Sequence, residues 1–229
     1  MLDFDGTLVD LAATPNSINV PADLLAMLNH VHQKSAGLTL ITGRAIDDLQ
    51  KHLPTFEGDI FGSHGAEKRV GGAYDHDAGV PLETLARLWQ GADRIAAAAP
   101  DTLIAERKPQ GVVLHYRRAP ELAGRVHQEM QSLIQTLKGL EIHPSKMAIE
   151  ARPDGITKAD AAQAIIAQAA RNTVPVFAGD DTTDEDAMRV VKDAHGVTIK
   201  IGEGDTVATH RLPTSQALRM LIQDWVKGA

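Results

Sequence analysis

Two carboxylates, Asp3 and Asp5, stand two residues apart in the run MLDFDGT at residues 1–7. The apolar residues before and between them predict the end of a buried strand, from which side chains at i and i+2 leave on the same side. Gly6 permits a sharp turn directly afterwards. Two carboxylates this close repel each other, so the pair requires a cation or a shared proton. The pattern indicates a nucleophilic aspartate, a second aspartate that moves protons, and a hard divalent cation.

The first strand is unusual, because only Met1 and Leu2 precede Asp3. We expect either a short strand or a natural chain that begins upstream of this methionine. A D-x-D-G run by itself is also compatible with an ordinary strand that ends in polar turn residues. Three distant segments favour the functional interpretation, since they supply the remaining parts of one site.

The first of these segments is Thr42-Gly43-Arg44, which follows a predicted buried strand and opens a predicted helix. A hydroxyl group, the backbone N–H of Gly43 and a helix N-terminus together form a cradle for an oxyanion. A threonine at this place is often only a helix N-cap. The cradle is therefore a hypothesis that depends on the other motifs.

The second segment contains Lys158, in the first turn of a helix that is predicted from Thr157. Lysine is disfavoured there, because its charge opposes the helix dipole. A local conflict of this kind often marks a functional residue. A solvated surface lysine is the alternative, and we would favour it if the other motifs were absent.

The third segment is VFAGDDTTDED at residues 176–186, where five carboxylates occupy seven positions after an apolar strand. A solvated acidic turn is possible, but Asp180 and Asp181 directly on a buried strand are costly unless a cation is near. Magnesium binds few protein carboxylates and retains waters or substrate oxygens. Asp3, Asp180 and one backbone carbonyl would therefore be sufficient to hold it.

Composition limits the partners and the chemistry. The 229 residues include 43% hydrophobic and 23% charged residues, which is sufficient for an ordinary buried core. A formal net charge of −7, an aromatic content of 3% and the lack of a basic run argue against nucleic acid and anionic membranes as partners. The chain contains no cysteine, which excludes disulfides, thiol catalysis and cysteine-bound zinc. No signal peptide or long apolar segment is evident, so we expect a cytoplasmic protein.

The predicted fold class is α/β, with a Rossmann-like parallel sheet, helices on both faces and an inserted α+β cap. Strands and helices alternate from the amino end, which is typical of a parallel sheet. The order then changes to αββαββ, which suits a small open-faced sandwich. The predicted boundaries are residues 1–78 for the first core segment, 79–152 for the cap and 153–229 for the second core segment. The second core segment should contain a helix from Thr157, the strand Val174–Ala178, a helix from Asp184, the strand Gly196–Ile201 and a helix from Thr214.

The motif order D-x-D-G-T, T-G-R, lysine and G-D-D-x-x-D resembles the haloacid dehalogenase-like superfamily of aspartate-based phosphatases. Further runs are similar to those of the trehalose-6-phosphate phosphatase family. They are GSHGAE (62–67), ERK (106–108), LHYR (114–117), KMAIE (146–150) and GDDTTDE (179–185). Three of these runs lie in the predicted cap, so they bear on the substrate, whereas the core motifs bear only on the type of reaction.

The resemblance implies roles for the core residues that contact the phosphoryl group. Asp3 attacks phosphorus and forms an aspartyl-phosphate. Asp5 protonates the leaving sugar oxygen and then takes a proton from the hydrolytic water. Thr42, Gly43 and Lys158 bind the phosphate and offset its charge.

The resemblance also implies a magnesium site and a set of residues that read the sugar. Mg²⁺ would be held by the Asp3 carboxylate, the Asp5 carbonyl and Asp180, with Asp181 and Asp184 in support. The expected substrate-binding residues are Arg44, His64, Glu106, Lys108, His115, Arg117, Lys146 and Glu150. Each of the cap residues among them could equally be a surface charge on an exposed sheet.

The activity expected from the resemblance is magnesium-dependent removal of phosphate from trehalose 6-phosphate, a small-molecule sugar phosphate, by a monomer. Two alternatives within the enzymes are another sugar phosphatase, acting on sucrose 6-phosphate or a mannosyl-type phosphate, and a hexose-phosphate mutase with the same cap. A different class is a non-catalytic sensor of a sugar phosphate. Asp3 and Asp5 argue against the sensor, because binding alone does not require a nucleophile.

Overall fold

The computed structural model describes residues 1–12, 17–75, 79–145 and 147–228. They form two compact units, one made of residues 1–75 and 157–229 and the other of residues 76–156. We call the first unit the core and the second the cap. The boundaries predicted from the sequence, at 78 and 152, lie a few residues from these limits.

The core contains helices and strands from both ends of the chain. Its first segment comprises α1 (Leu24–Lys34), β1 (Thr39–Ile41), α2 (Ile46–His52), β2 (Asp59–Gly62), β3 (Glu67–Val70) and β4 (Ala73–Asp75). The cap follows with α3 (Leu82–Ala97), β5 (Ile104–Lys108), β6 (Gly111–His115), α4 (Ala123–Gln135), β7 (Leu140–Ser145) and β8 (Ala148–Pro153). The second core segment comprises α5 (Lys158–Gln168), β9 (Val176–Gly179), α6 (Thr182–Asp193), β10 (Val197–Ile201), β11 (His210–Leu212) and α7 (Ser215–Gly228).

The first residues of the chain join the two halves of the core sheet. Leu2 bridges Leu40 of β1 on one side and Ala178 of β9 on the other, both in parallel orientation. The halves have the orders β1-β2-β3-β4 and β11-β10-β9. All neighbours pair in parallel except β3, which is antiparallel to both β2 and β4. The predicted α/β fold class is confirmed, with the Asp3 segment in the centre of the sheet.

The two faces of this sheet bury different sets of side chains. Leu40 packs in a cluster with residues of α1, α2 and α7, whereas Ile41, the next residue, packs with residues of α5 and α6. Adjacent residues of a strand point to opposite faces, so both faces are apolar and both carry helices. The helices on both faces were therefore predictable from the continuous apolar runs of the strands.

The cap has the predicted order αββαββ, and its antiparallel sheet has the strand order β5-β6-β8-β7. Val112, Leu114 and Ile149 of one face pack with residues of α3 and α4. On the other face Glu106, Val113 and Glu150 are cross-strand neighbours in the register of β5, β6 and β8. Only one face of the sheet is thus packed on the cap's own helices, and the face that those helices leave uncovered is polar.

Three details differ from the sequence prediction. The strand β11 was not predicted, because it is a three-residue edge strand with a polar sequence, His-Arg-Leu. Helix α6 begins at Thr182 rather than Asp184, since Asp181 is its N-cap. The helix predicted from Pro120 begins with a 3-10 turn before α4. Among the described residues, no helix is both long enough and apolar enough to cross a membrane.

Candidate active site

Asp3 and Asp180 follow neighbouring strands at the carboxyl edge of the core sheet, where open α/β folds bind ligands. The Asp3 N–H donates to the carbonyl of Ala178 at 2.9 Å, which ties the two strand ends together. Gly6 has a φ of +81°, and a Cβ there would lie 2.1 Å from an Asp180 carboxylate oxygen. The glycine is therefore required both by its backbone conformation and by the close approach of Asp180.

Lys158 joins two aspartates that lie far apart in the sequence. Its Nζ donates to Asp3 Oδ1 and to Asp184 Oδ1, each at 2.7 Å. The side chains of Lys158, Asp3 and Asp184 are 4%, 5% and 0% exposed. The capping box of Thr157 and Asp160 fixes the start of α5 and so places the lysine in its first turn. The unfavourable early lysine is thus explained by two buried carboxylates that it neutralises.

Asp184 also organises the backbone beside it. Its Oδ2 accepts from the N–H groups of Asp180 and Asp181, both at 3.0 Å. The Asp181 side chain is the N-cap of α6 and accepts from the Thr182 N–H at 2.7 Å. Asp181 is exposed, so the structure places it as a helix cap, whereas Asp184 lies inside the acidic cluster.

Three of the aspartates could hold a divalent cation. Asp3, Asp180 and Asp184 each offer a carboxylate oxygen, and these oxygens all lie within 4.8 Å of one another. Oxygen ligands at this spacing fit a hard ion such as Mg²⁺, which needs few protein carboxylates. Both oxygens of Asp184 already accept hydrogen bonds, which leaves Asp3 and Asp180 as the better direct ligands.

The acidic cluster contains more carboxylates than ammonium groups, and burial together with this excess of negative charge shifts the pKa values of its members. Burial raises the pKa of Asp3 well above its usual range, Lys158 opposes the shift, and Asp184 and Asp180 add to it. Burial, followed by Asp184, raises the pKa of Asp180 to about 6. Burial would lower the pKa of Lys158, but Asp184 and Asp3 raise it above its ordinary value. One ammonium therefore does not compensate two buried carboxylates and a third that is partly buried, and a cation would restore the ionised forms.

Arg44 holds the second aspartate of the motif. Its Nε and Nη2 donate to the two carboxylate oxygens of Asp5 at 2.7 and 2.8 Å, and its Nη1 donates to Asp48 at 2.6 Å. The guanidinium also lies over the Phe4 ring, 5.8 Å from the centroid. This bidentate pair fixes the orientation of the Asp5 carboxylate. Arg44, which was predicted to contact substrate, is thus bound to the predicted acid/base; its role as a substrate contact stays a prediction.

The predicted oxyanion cradle lies before α2 rather than at its first turn. The helix begins at Ile46, three residues after Gly43. The Thr42 hydroxyl accepts from the Arg44 N–H at 3.1 Å, and the threonine is fully buried. The His64 ring lies against Gly43, because a Cβ there would be 2.9 Å from the ring. The structure thus brings His64 against Gly43, and phosphate binding by Thr42 and Gly43 stays a prediction.

The position of His64 depends on a strained turn. Ser63 and His64 have φ values of 48° and 60°, which are uncommon for residues other than glycine. The Ser63 hydroxyl donates to the fully buried carboxylate of Glu67, which also accepts from the Ile46 N–H at 3.4 Å. Such strain persists where surrounding contacts hold it, often at functional sites. Glu67 ends the run GSHGAE, but the sequence predicted no role for it.

Lys200 is a second residue that the sequence interpretation did not use. It stands in β10 and is 4% exposed, and its Nζ donates to the backbone carbonyl of Asp180. A signal was present, since a lysine between Ile199 and Ile201 is out of place in the apolar run of a buried parallel strand.

Four of the predicted cap residues lie together on the polar face of the cap sheet. Lys108 Nζ donates to Glu150 Oε1 at 2.7 Å, and His115 Nε2 and Glu106 Oε2 are also 2.7 Å apart. The hydrogen bond from His115 is the main cause that lowers the pKa of Glu106. Arg117 is exposed beyond the end of β6, and Lys146 lies outside the described residues.

Comparison with known proteins points to one family. The model of the trehalose-phosphatase family matches residues 1–217. A probable trehalose-phosphate phosphatase of Sinorhizobium fredii is 36% identical over 229 residues, which cover 96% of this chain and 84% of that protein. The trehalose-6-phosphate phosphatase of Escherichia coli is 32% identical over 222 residues, which cover 92% of this chain and 79% of that protein.

Solved structures agree with this result. A trehalose-6-phosphate phosphatase related protein superposes with a TM-score of 0.78 at 25% identity, over 99% of this chain and 96% of the other. A haloacid dehalogenase-like hydrolase from Bacteroides thetaiotaomicron gives a TM-score of 0.71 at 16% identity, over 98% of this chain and 97% of the other. The second match bears on the fold alone.

Proposed function

Since the chain belongs to the trehalose-phosphatase family, we propose that it hydrolyses trehalose 6-phosphate to trehalose and inorganic phosphate. The observation that carries this proposal is the contact of Lys158 with Asp3 and Asp184, at 2.7 Å each, beside Asp180. A nucleophilic carboxylate, a fixed cation and a chelating carboxylate are the parts that phosphoryl transfer through a covalent intermediate requires. Membership of the family makes the chain a phosphatase, and the assignment of roles to residues is our proposal.

The first half-reaction transfers the phosphoryl group to the enzyme. An oxygen of Asp3 attacks phosphorus, and the bond between phosphorus and the sugar oxygen breaks. Asp5 donates its proton to that oxygen, which leaves as a hydroxyl group. Lys158 and the cradle of Thr42 and Gly43 offset the negative charge on the phosphoryl oxygens. The products of this step are trehalose and the aspartyl-phosphate at Asp3.

The second half-reaction consumes one water molecule. The Asp5 carboxylate, now deprotonated, takes a proton from this water as it attacks phosphorus. The bond between phosphorus and the Asp3 oxygen breaks, and inorganic phosphate is released. Asp3 and Asp5 return to their initial states, so the cycle balances. Because Arg44 binds both oxygens of Asp5, Asp5 must exchange one of these hydrogen bonds for the proton that it moves.

We assign Mg²⁺ as the cofactor, held by the Asp3 and Asp180 carboxylates and the Asp5 carbonyl, with Asp184 in support. When bound, the ion would offset charge on the transferring phosphoryl group. The fit is supported by the 4.8 Å grouping of the acidic oxygens and by the raised pKa values of Asp3 and Asp180, which indicate a shortage of positive charge.

Sugar recognition is assigned to the polar face of the cap, with Glu106, Lys108, His115 and Glu150 as the residues involved. These two pairs supply both donors and acceptors, which the hydroxyl groups of a disaccharide require. A site built for hydroxyl groups discriminates strongly, because a wrong sugar leaves its polar groups unpaired. The roles of His64, Arg44, Arg117 and Lys146 remain predictions from the sequence.

A phosphate-release assay over several sugar phosphates tests the proposal. Trehalose 6-phosphate, sucrose 6-phosphate and mannose 6-phosphate should be compared with and without Mg²⁺, and Asp3→Asn should serve as the inactive control. We expect Mg²⁺-dependent release that is highest with trehalose 6-phosphate. Faster release from another sugar phosphate would show that the proposed substrate is wrong and that the proposed type of reaction is right. No release from any of the substrates would refute the proposal.

Two further predictions concern the state of the protein. A monomer is expected, and gel filtration at several concentrations tests it. A cytoplasmic location is expected, and fractionation of cells that express the protein tests that.

A further inference from the structure

Lys200 is a buried cation for which the proposed reaction gives no role. Its side chain extends from β10, and its Nζ donates to the backbone carbonyl of Asp180 and lies 3.6 Å from Glu185 Oε1. The side chains of Lys200 and Glu185 are only 6% and 12% exposed. A buried ion pair of this kind is weak support for stability by itself, because desolvation opposes the attraction. Its place beside Asp180 therefore calls for another explanation.

Glu185 is the carboxylate that forms an ion pair with Lys200. Its Oε2 accepts from the Val207 N–H at 2.8 Å and from the Thr206 hydroxyl at 3.2 Å. Glu185 is therefore anchored to the connection between β10 and β11 as well as to α6, which carries it. Lys200 lies between this anchored carboxylate and the Asp180 carbonyl, so its ammonium has a defined position.

The Asp180 residue is thereby held at three points. Its N–H donates to Asp184 at 3.0 Å, its carbonyl accepts from Lys200, and its carboxylate accepts from the Thr7 hydroxyl at 3.3 Å. The Lys200 contact acts on the peptide group that follows the Asp180 side chain. The N–H of that peptide, from Asp181, donates to Asp184 Oδ2 at 3.0 Å, so Lys200 and Asp184 hold its two sides. If the Lys200 contact is lost, the carbonyl side loses its partner and the Asp180 backbone, with its carboxylate, is held less firmly.

We propose that Lys200 is a positioning residue that orients Asp180 as a metal ligand through its backbone carbonyl. The inference rests on the proposed function, because it takes Asp180 as a ligand for Mg²⁺. It adds a contact between this ligand and the next strand of the sheet. Partners that orient metal ligands typically change metal affinity by about 10- to 100-fold when they are removed.

The competing explanation is that Lys200 only supplies positive charge to an acidic region. The two explanations predict opposite signs. A cation near the site repels Mg²⁺, so its removal should tighten metal binding if charge is its only contribution. If Lys200 orients Asp180, its removal should weaken binding in spite of the lost repulsion. The sign of the change in Mg²⁺ affinity therefore distinguishes them.

Calorimetric titration of the protein with Mg²⁺, without substrate, is the experiment. Lys200→Met removes the ammonium and keeps the length of the chain, and we expect the Kd for Mg²⁺ to rise by about tenfold or more. Lys200→Arg keeps the charge but replaces a compact ammonium with a planar guanidinium, so we expect it to weaken binding as well. Lys227→Met is the matched control, because Lys227 is a lysine of α7 that is 75% exposed in its pair with Asp224, and its loss should leave the Kd unchanged.

Circular dichroism should first establish that each variant is folded. An unchanged or lower Kd in folded Lys200→Met overturns the inference. If that variant does not fold, wild-type affinity in Lys200→Arg overturns it instead. Asp180→Ala distinguishes this failure from a failure of the proposed function. If Asp180→Ala binds Mg²⁺ like the wild type, Asp180 is not a ligand, and both the proposed magnesium site and the role of Lys200 are wrong. If Asp180→Ala binds Mg²⁺ weakly but Lys200→Met binds it like the wild type, only the role of Lys200 is wrong and the proposed function stands.

Discussion

The acidic cluster of the core and the polar face of the cap differ in how their charges are held. In the core, Lys158, Asp3 and Asp184 are at most 5% exposed, and they come from three distant parts of the chain. In the cap, the side chains of Lys108 and Glu150 are 16% and 10% exposed, and those of His115 and Glu106 are 31% and 42% exposed. The cap pairs also join strands of a single antiparallel sheet.

This difference suits two different tasks. A buried charge cannot change its partner without a large desolvation cost, so the core geometry is fixed before substrate binds. Fixed groups around a reacting centre stabilise the transition state without reorganisation. The pair of His115 and Glu106 is partly exposed, so it contributes little to stability and can exchange its partners for ligand groups. The pair of Lys108 and Glu150 is more buried than this, but less so than the charges of the core. We therefore expect core substitutions to affect every substrate and cap substitutions to affect the sugar alone.

The largest effect is expected from Asp3→Asn. The amide keeps the shape of the side chain but removes the attacking charge, so turnover of every phosphate ester should fall by at least about a thousandfold, or about 4 kcal/mol in the barrier. Steady-state phosphate release with trehalose 6-phosphate and p-nitrophenyl phosphate measures it. Turnover within about tenfold of wild type, equivalent to about 1.4 kcal/mol, would rule out Asp3 as the nucleophile.

Lys158→Met should have the largest effect on stability. It leaves the buried carboxylates of Asp3 and Asp184 without their cation, which should lower the free energy of unfolding by about 3–5 kcal/mol. Urea denaturation without metal measures the change. Lys51→Met is the control, because that lysine is 72% exposed in its pair with Asp48 and should contribute less than about 1 kcal/mol. Equal losses in the two variants would contradict the contrast between buried and exposed charges.

Glu150→Ala and Lys108→Ala test the cap. Each loses a charged hydrogen-bonding group, which should raise the barrier for trehalose 6-phosphate by about 1.5–3 kcal/mol. The activity with p-nitrophenyl phosphate should barely change, because that ester has no sugar. Ratios of kcat/KM for the two substrates measure the difference.

Lys108 and Glu150 form an ion pair with each other, so the double variant Glu150→Ala/Lys108→Ala is needed as a control. Because Lys108 and Glu150 contact each other at 2.7 Å, each single change also removes an ion-pair contact of the other residue. The double variant separates the two effects, since comparison with the single variants isolates the energy of the contact between the two residues. If both substrates lose activity by the same factor in all three variants, the cap residues act through folding and do not read the sugar.

The smallest effect concerns the pH dependence of stability. The hydrogen bond from His115 holds the pKa of Glu106 below its usual 4.5 in the folded state. A lowered carboxyl pKa stabilises the folded state above the unfolded-state pKa, and this contribution is lost as the pH falls through the folded value. The wild type should therefore be more stable than Glu106→Gln at neutral pH, and the difference should shrink as the pH falls below about 4.5.

Thermal unfolding of both proteins between acidic and neutral pH measures this difference. Glu129→Gln is the control, because Glu129 forms an exposed i,i+4 pair with Arg125 on α4. A difference between wild type and Glu106→Gln that does not depend on pH would show that the Glu106 contact with His115 is not ionic.

Some site residues were predictable because their signals are local. Asp3 and Asp180 end apolar strands, and Lys158 stands where a helix disfavours a lysine. Lys200 had a comparable signal, a charge inside an apolar strand, although it was not recognised. By contrast, Arg44 carries no sign that it binds Asp5, which lies 39 residues away.

By itself the sequence determined the α/β fold, the αββαββ order of the cap and the strand ends that carry carboxylates, because periodicity and strand-end polarity are properties of neighbouring residues. Only the tertiary structure decided which charge binds which partner. Lys158 reaches Asp3 across 155 residues of sequence, because the central position of the Asp3 segment brings distant strand ends together. The start of α6 likewise decided the roles of two neighbouring aspartates. Asp181 is the N-cap, so its backbone is not yet helical and its side chain caps the helix. Asp184 lies in the first turn of the helix, and its side chain belongs to the acidic cluster.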